Sequence, residues 1–452
     1  MPVEDMKNTL IAGTATSDIT PSGSHFLFGY PYVERMSKGV HDRLLSSALY
    51  LSDGINRVML ISNDIIYVSK ASVSRIREGI LKNTGIPASN ILVSATHTHS
   101  GPVTVDCINC SNDPVVPKAD TAYINYMEEK IIEAGCNAFK NASPAEAGFI
   151  MANGTGIGTN RHDPAGPAIM DIPAVVFRKP DNRYIACMLV CSMHPTILHE
   201  DSRLISGDFP SFTREILQKE YLGTDCPVLY FTGAAGNQSP RHVTKSNTFA
   251  EAQRIGGIVA NAIGEKINAG LNYSGDISLQ SFQKLTDLPR RKFPEPEQAQ
   301  QHRDESLERF ENLKRTSLNP QEIRTAEVDW FGSEELLHLS KLARSENFED
   351  NYKTCLPAEI QIIKIGTWNF VAWPGEIFIE YALELKKTDE NIFLISLSNG
   401  ELQGYIATRE AEENGFYEAS NSIFHYSAGE VLVEETLKLL KEVNHRPQRR
   451  WL

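Results

Sequence analysis

The chain has 452 residues, enough to bury one large core or two ordinary ones, and 41% hydrophobic with 22% charged residues is the usual balance of a globular protein. No stretch approaches the roughly 20 consecutive apolar residues of a membrane-spanning helix, so insertion into a bilayer is not expected. A formal charge of −13 without any Lys/Arg cluster opposes nucleic acid and anionic lipid as partners.

Residues 1–7 contain no basic region followed by an apolar run, so no secretory signal is read there and a cytoplasmic location is expected; an N-terminus trimmed of its leader would equally fit a secreted protein. Arg57-Val58-Met59-Leu60-Ile61-Ser62 reads as a strand. Val73, Ile76 and Ile80 follow at helical spacing, and Gly85 is placed to stop that helix. Ile91-Leu92-Val93-Ser94-Ala95 is the next strand. A β-α-β order predicts parallel pairing, with ligands gathering beyond the carboxyl ends of the strands. His97 lies just past such an end. The arrangement recurs: Ile185 to Val190 runs into His194, Val228-Leu229-Tyr230-Phe231 into a Gly-rich loop, and Ile392-Phe393-Leu394-Ile395 precedes Tyr405. Glu359 to Trp373 reads as a hairpin turning near Gly366-Thr367 and delivers Glu376. Residues 287–351 are charged and poor in β-branched side chains. They read as an inserted helical pair, either a cover for the pocket or a solvated decoration. Val433, Leu437 and Leu440 mark a closing amphipathic helix. The expected class is α/β (α+β), mixed sheets flanked by helices, in a single catalytic domain over 1–452.

Seven thinly spread cysteines fit reduced thiols better than a disulfide framework, and Cys107 and Cys110 read as unlinked loop thiols. Thr96-His97-Thr98-His99 places two imidazoles at i and i+2, on one side of an extended segment where they can converge on a metal or a substrate, and Ser100-Gly101-Pro102 then forces a sharp exit that leaves both rings at an exposed end. Such a pair begins a metal site but does not complete it. There is no His-Glu-x-x-His helix and no Asp-His after His99, so the remaining ligands must be dispersed. Gly154-Thr155-Gly156-Ile157-Gly158 lacks the lysine of a phosphate loop and reads as a flexible turn. Gly236-Asn237-Gln238-Ser239-Pro240 is not the Gly-x-Ser-x-Gly elbow.

Taken together, Thr96-His97-Thr98-His99-Ser100-Gly101-Pro102, Met193-His194-Pro195, Gly236-Asn237-Gln238-Ser239-Pro240, Pro374-Gly375-Glu376 and the Tyr405…Tyr417 pair resemble, in that order, the catalytic domain of the neutral/alkaline (non-lysosomal) ceramidases. Gly13 to Pro21 and Gly39 to Arg43 are similar too. The resemblance implies one zinc per chain, held by His97, His194, Glu376 and Tyr405. It implies Ser239 as nucleophile, Arg161 and Tyr417 in the active site, and His99 as proton carrier. A second route stays open, in which zinc-activated water attacks the amide while Ser239 and Tyr417 donate hydrogen bonds to the oxyanion. Asp18, Asn63 and Asp64 are further candidates for lining the site.

The sequence departs from the family in two places. The C-terminal β-sandwich domain of full-length ceramidases is not seen before Leu452, and Arg241 stands where the family usually has asparagine. A cation beside Ser239 favours an anionic substrate or leaving group. The expectation is therefore a zinc-dependent amide hydrolase of a small-molecule acyl amide, smaller or more polar than ceramide. The alternatives are a zinc-dependent esterase, lactonase or lyase acting on a carbohydrate-derived acid, and a non-catalytic zinc-containing binding protein.

Overall fold

The computed structural model describes residues 9–445. Residues 1–7, read for a leader, lie outside them. The α/β class is borne out: three mixed sheets share one core, and helices cover the outer face of each. In the first sheet, Leu45–Ser52 runs antiparallel to both Ile11–Asp18 and Arg57–Asn63, and Arg57–Asn63 runs parallel to Ile91–Ala95. The helix Lys70–Thr84 makes that parallel crossover. Ser69 caps its start by accepting from Ser72 N at 3.0 Å, Gly85 ends it at φ 69°, and Val73, Ile76 and Ile80 face the sheet.

The second sheet pairs Tyr184–Cys191 in parallel with Val228–Thr232, and helices Phe209–Leu217 and Phe249–Asn268 bury Phe212, Ile255 and Val259 against it. The third contains the hairpin Ala358–Ile365 and Trp368–Ala372, turned at Gly366 with φ 61°, and Trp368–Ala372 pairs in parallel with Ile392–Ile395. Ile379–Lys386 and Ser427–His445 cover this sheet through Leu385 and Leu432. The inner faces meet over side chains such as Leu49, Leu60, Val175, Met188, Phe231 and Phe370. Each such side chain, taken wholly out of water, contributes about 1.5–3 kcal/mol. The sheets are thereby fixed to one another, and with them the strand ends that carry the site.

Residues 287–351 include the helices Pro296–Thr316 and Pro320–Leu342. Arg309 pairs with Asp329 at 2.9 Å and Arg303 with Glu334 at 3.5 Å, a falling register that makes the two helices antiparallel. Phe310 stacks on Trp330 between them at 5.7 Å. Among the described residues no helix is long and apolar enough to cross a membrane.

Candidate metal centre and active site

The strand Ile91–Ala95 ends before Thr96, and the next residues are not extended: His97 has φ 68° in the left-handed region. The expectation of two rings on one side of an extended, exposed segment is corrected on both counts. His97 is 1% and His99 8% exposed, because the segment around Phe28 and Gly29 lies over them. A Cβ on Gly29, at φ +127°, would come within 2.3 Å of His99 Nδ1. Arg35, itself wholly buried, donates to His99 O, to Ser100 Oγ at 3.1 Å and to Ser202 O at 2.8 Å, and so pins the loop.

The left-handed turn brings three imidazoles together. His97 Nε2 lies 2.9 Å from His194 Nε2, and His99 Nε2 lies 3.3 and 3.2 Å from those two. His97 Nδ1 donates to Ile66 O at 2.9 Å and His194 Nδ1 to Ala235 O at 3.0 Å, so in the neutral rings each Nε2 carries a lone pair. Burial holds His194 well below the usual imidazole range, helped by the charges of Arg161, His97 and His99; burial likewise lowers His99, with His97, Arg161 and Arg35 adding to it. Lone pairs at such distances repel one another unless something positive lies between them. A proton could reconcile one pair. Three nitrogens and a carboxylate fit a divalent cation.

The carboxylate is Glu376, 4% exposed, with Oε2 at 3.1 Å from His97 Nε2 and 3.7 Å from His194 Nε2. Burial pushes its carboxyl up. Positive charge at His97 Nε2, a proton or the cation that would take its place, together with hydrogen bonds from Tyr67 and Tyr405, outweighs that and holds it below the ordinary range. Tyr405 arrives through main-chain pairing: Glu376–Ile377 runs parallel to Tyr405–Ile406, with Glu376 and Tyr405 as direct partners. Residues twenty-nine apart are thus locked side by side. Tyr67 was not anticipated. Its hydroxyl donates to Glu376 Oε1, and its ring meets His97 edge-on at 5.3 Å between centroids.

A second short pairing builds the opposite wall, where Thr159–Asn160 runs antiparallel to Gln238–Ser239. Ser239 therefore sits opposite Thr159, and Arg161, opposite Asn237, donates from its N to Asn237 O at 2.7 Å. Gly154 to Ile157 form the expected turn, with Ile157 N donating to Gly154 O at 3.1 Å, and Gly158 after it is tightly packed, since an added Cβ would lie 2.3 Å from Met193 Sδ and 2.5 Å from Ser239 O. Arg161 Nη1 reaches Glu418 Oε1 at 3.2 Å, Gly236 O at 3.1 Å and Tyr405 OH at 3.4 Å. Tyr417 lies edge-on to Tyr405 at 6.0 Å. His99, Arg161, Ser239, Glu376, Tyr405 and Tyr417 all line one cavity, with His97 and His194 behind its wall. Asp18, Asn63 and Asp64 do not line it. Asp18 binds Arg43 at 3.0 Å, Asn63 Nδ2 donates to Ser94 O at 2.9 Å, and Asp64 pairs with Arg214.

The long helix Pro320–Leu342 closes the cavity with Arg324, Val328, Phe331 and Glu335. Glu335 is 2% exposed and accepts from Asn421 Nδ2. Burial pushes its carboxyl up to about 8 against an ordinary 4.5, with the Asn421 hydrogen bond pulling the other way. The stabilising contribution of its proton is complete below pH 4.5 and is lost as pH rises through about 8. The wild-type Tm should therefore fall between pH 6 and 9 in differential scanning calorimetry, and Glu335→Gln should flatten that fall. Parallel Tm profiles for the two proteins would refute a protonated Glu335. Cys107 and Cys110 line the same cavity as free thiols, both pushed up by burial, and all seven cysteines are unpaired.

Residues 10–145 match the family model described as neutral/alkaline non-lysosomal ceramidase, N-terminal. The crystal structure of neutral ceramidase from Pseudomonas aeruginosa is similar to this chain with a TM-score of 0.75 at 16% identity, covering 98% of this chain and 75% of that one. A ceramidase structure described as complexed with C2 is similar with a TM-score of 0.74 at 15% identity, covering 98% and 77%. The resemblance to the neutral/alkaline ceramidases read from the motifs is borne out, in sequence over the N-terminal third and in fold over nearly the whole chain.

Proposed function

We propose that the protein is a zinc-dependent hydrolase of the C–N bond of an acyl amide, in which one water splits the amide into a carboxylic acid and a free amine. One observation carries the reading: three imidazole Nε2 atoms within 2.9–3.3 Å of one another meet the Glu376 carboxylate at a cavity wall. The likeness to ceramidases supports amide chemistry, and two imidazoles with a carboxylate are a ligand set that zinc favours. His97, His194 and Glu376 would hold the ion, with the Tyr405 phenol oxygen beside Glu376 as a further ligand. A bound zinc supplies Lewis acidity towards water and an amide carbonyl.

The chain's own groups do the rest. Ile66 O and Ala235 O fix the tautomers of His97 and His194. His99 lines the cavity beside the two ligand rings and is the proton carrier of this proposal, with burial and its cationic neighbours weakening it as a base. Ser239 Oγ accepts only from Arg241 N at 3.4 Å, and no imidazole or carboxylate among the described residues stands within reach to take its proton. We therefore assign Ser239, with Tyr417, to hydrogen bonding with the developing oxyanion. Arg161 holds Tyr405 in place. Ser239→Ala should then lower kcat by about 10²–10³ with zinc content unchanged. A burst of amine in the first turnover, lost with the serine, would make Ser239 the nucleophile instead.

The seven free cysteines favour a reducing compartment as the place of action. The defining experiment measures amine release from a panel of N-acyl amides and ceramide by zinc-loaded protein. Cleavage abolished by a chelator and restored by zinc, faster on short polar amides than on ceramide, is the expected result. An unsaturated product, or no amine from any substrate, would overturn the assignment.

A further inference from the structure

The arginines around the cavity are not neutralised alike. Arg161 is paired with Glu418 at 3.2 Å, and Arg324 with Glu200 at 3.0 Å and Glu327 at 2.7 Å. Arg241 has no such partner: among the described residues no carboxylate lies within ion-pair distance of its guanidinium, and no side-chain acceptor takes its hydrogens. Its backbone is nevertheless fixed. It sits in the short helix Pro240–His242 that Ser239 caps, and His242 Nε2 hydrogen-bonds to Arg161 O at 3.1 Å. Burial first, then the charges of Arg161 and Arg324, bring the guanidinium down to about 10 against the opposing charge of Glu418. A guanidinium held in a partly desolvated wall among like charges is costly unless an anion joins it.

Other parts of the lining differ. Glu335, Cys107 and Cys110 carry no charge near neutral pH, and Val328, Phe331 and Ile66 give apolar surface. The lining is therefore mixed: the unpaired Arg241 two residues from Ser239, the Glu376 carboxylate at the imidazoles, and uncharged or apolar side chains besides. Resting on the amide-hydrolase reading, we propose that the substrate is a carboxylate-bearing acyl amide whose carboxylate is bound by Arg241. Arg241 follows Ser239 by two residues and lines the same cavity, so a substrate whose amide reaches Ser239 can place its carboxylate on the guanidinium. The planar guanidinium fork matches a carboxylate bidentately, and the apolar side chains of the lining take the acyl chain.

The test compares N-octanoylglycine with uncharged N-octanoylpropylamine as substrates of the zinc-loaded enzyme. Wild type should favour the carboxylate substrate by about tenfold or more in kcat/KM, mostly through KM. Arg241→Gln should bring that ratio close to one, and Arg241→Lys should restore part of it. Wild type that cleaves the neutral amide equally well overturns the proposal whether or not the variants fold, as does Arg241→Gln with the ratio intact. If neither compound is cleaved, the amide-hydrolase reading fails separately, and calorimetry on the same pair decides the anion site. Tighter binding of the carboxylate in wild type, lost in Arg241→Gln, upholds it. An unchanged preference in Arg241→Gln would place the carboxylate on the metal and overturn it.

Discussion

Glu376→Gln is expected to leave the protein folded with far less than one zinc per chain and to lower kcat/KM by about 10³ or more. Among the described residues this carboxylate is the only anion that faces the three imidazoles directly, and both of its oxygens are committed: Oε2 faces His97 Nε2 at 3.1 Å, and Oε1 accepts from Tyr67. An amide oxygen in its place keeps the shape and discards the charge that offsets the dication. Lewis acidity contributes several kcal/mol to a transition state that develops negative charge, and about 4 kcal/mol corresponds to a thousandfold. Metal analysis and amine release, measured on the same preparation, read both consequences. A third readout concerns stability, because an ion that binds only the folded state raises Tm by mass action. Zinc should raise the Tm of the metal-free wild type and leave that of the variant almost unmoved. A variant with full zinc and full rate would remove Glu376 from the site.

That carboxylate was legible in the sequence only through its motif. Glu376 comes after a strand that reads clearly as the second arm of a hairpin, yet nothing local in Pro374-Gly375-Glu376 says that Tyr405 will be its main-chain partner. The strand ends were the readable part. Ile91–Ala95, Tyr184–Cys191, Val228–Thr232 and Ile392–Ile395 stand out by hydrophobicity, and each does lead towards a residue of the cavity or its wall. The path of the backbone beyond those ends was not readable. The left-handed turn at His97 is imposed by the loop's contacts and by Arg35 beneath it, and a lone arginine in a loop carries no pattern that announces such a role. Tyr67 looks like another core aromatic in Ile65-Ile66-Tyr67-Val68 until a glutamate 309 residues away meets its hydroxyl. The helical pair was visible as composition, but which of its faces lines the cavity depends on side chains whose spacing shows little amphipathic order. Periodicity records burial against one neighbour. A site assembled from several strand ends and loops is set by contacts that leave no period.

Glu418 is the other residue that the pattern concealed, and its removal carries the largest expected loss of stability. Its carboxylate, 3% exposed, receives Arg161 Nη1 at 3.2 Å and His162 Nε2 at 2.9 Å. Burial works against its charge. His162, through a hydrogen bond and its charge, and the charge of Arg161 prevail and hold it down at about 2 against an ordinary 4.5. Because the folded value is depressed, the stabilising contribution is complete above pH 4.5 and is lost as pH falls through about 2. Glu418→Gln should therefore show a deficit that is constant across neutral pH and shrinks only in strong acid. Taking the anion away leaves Arg161 buried with Gly236 O and Tyr405 OH as its remaining partners, a loss of about 3–5 kcal/mol for a broken buried pair. The companion Arg161→Met separates charge from packing. If the cost comes from an uncompensated buried cation, the double variant should be less destabilised than the sum of the two single variants, and urea denaturation of all four proteins gives that coupling directly. Catalysis should suffer as well, since Arg161 bridges the Glu418 carboxylate and the Tyr405 hydroxyl, and loss of such an orienting contact typically lowers rate about 10–100-fold. A Glu418→Gln midpoint within about 0.5 kcal/mol of wild type, the range of an ordinary surface change, would show that Arg161 does not depend on this carboxylate for its place in the wall.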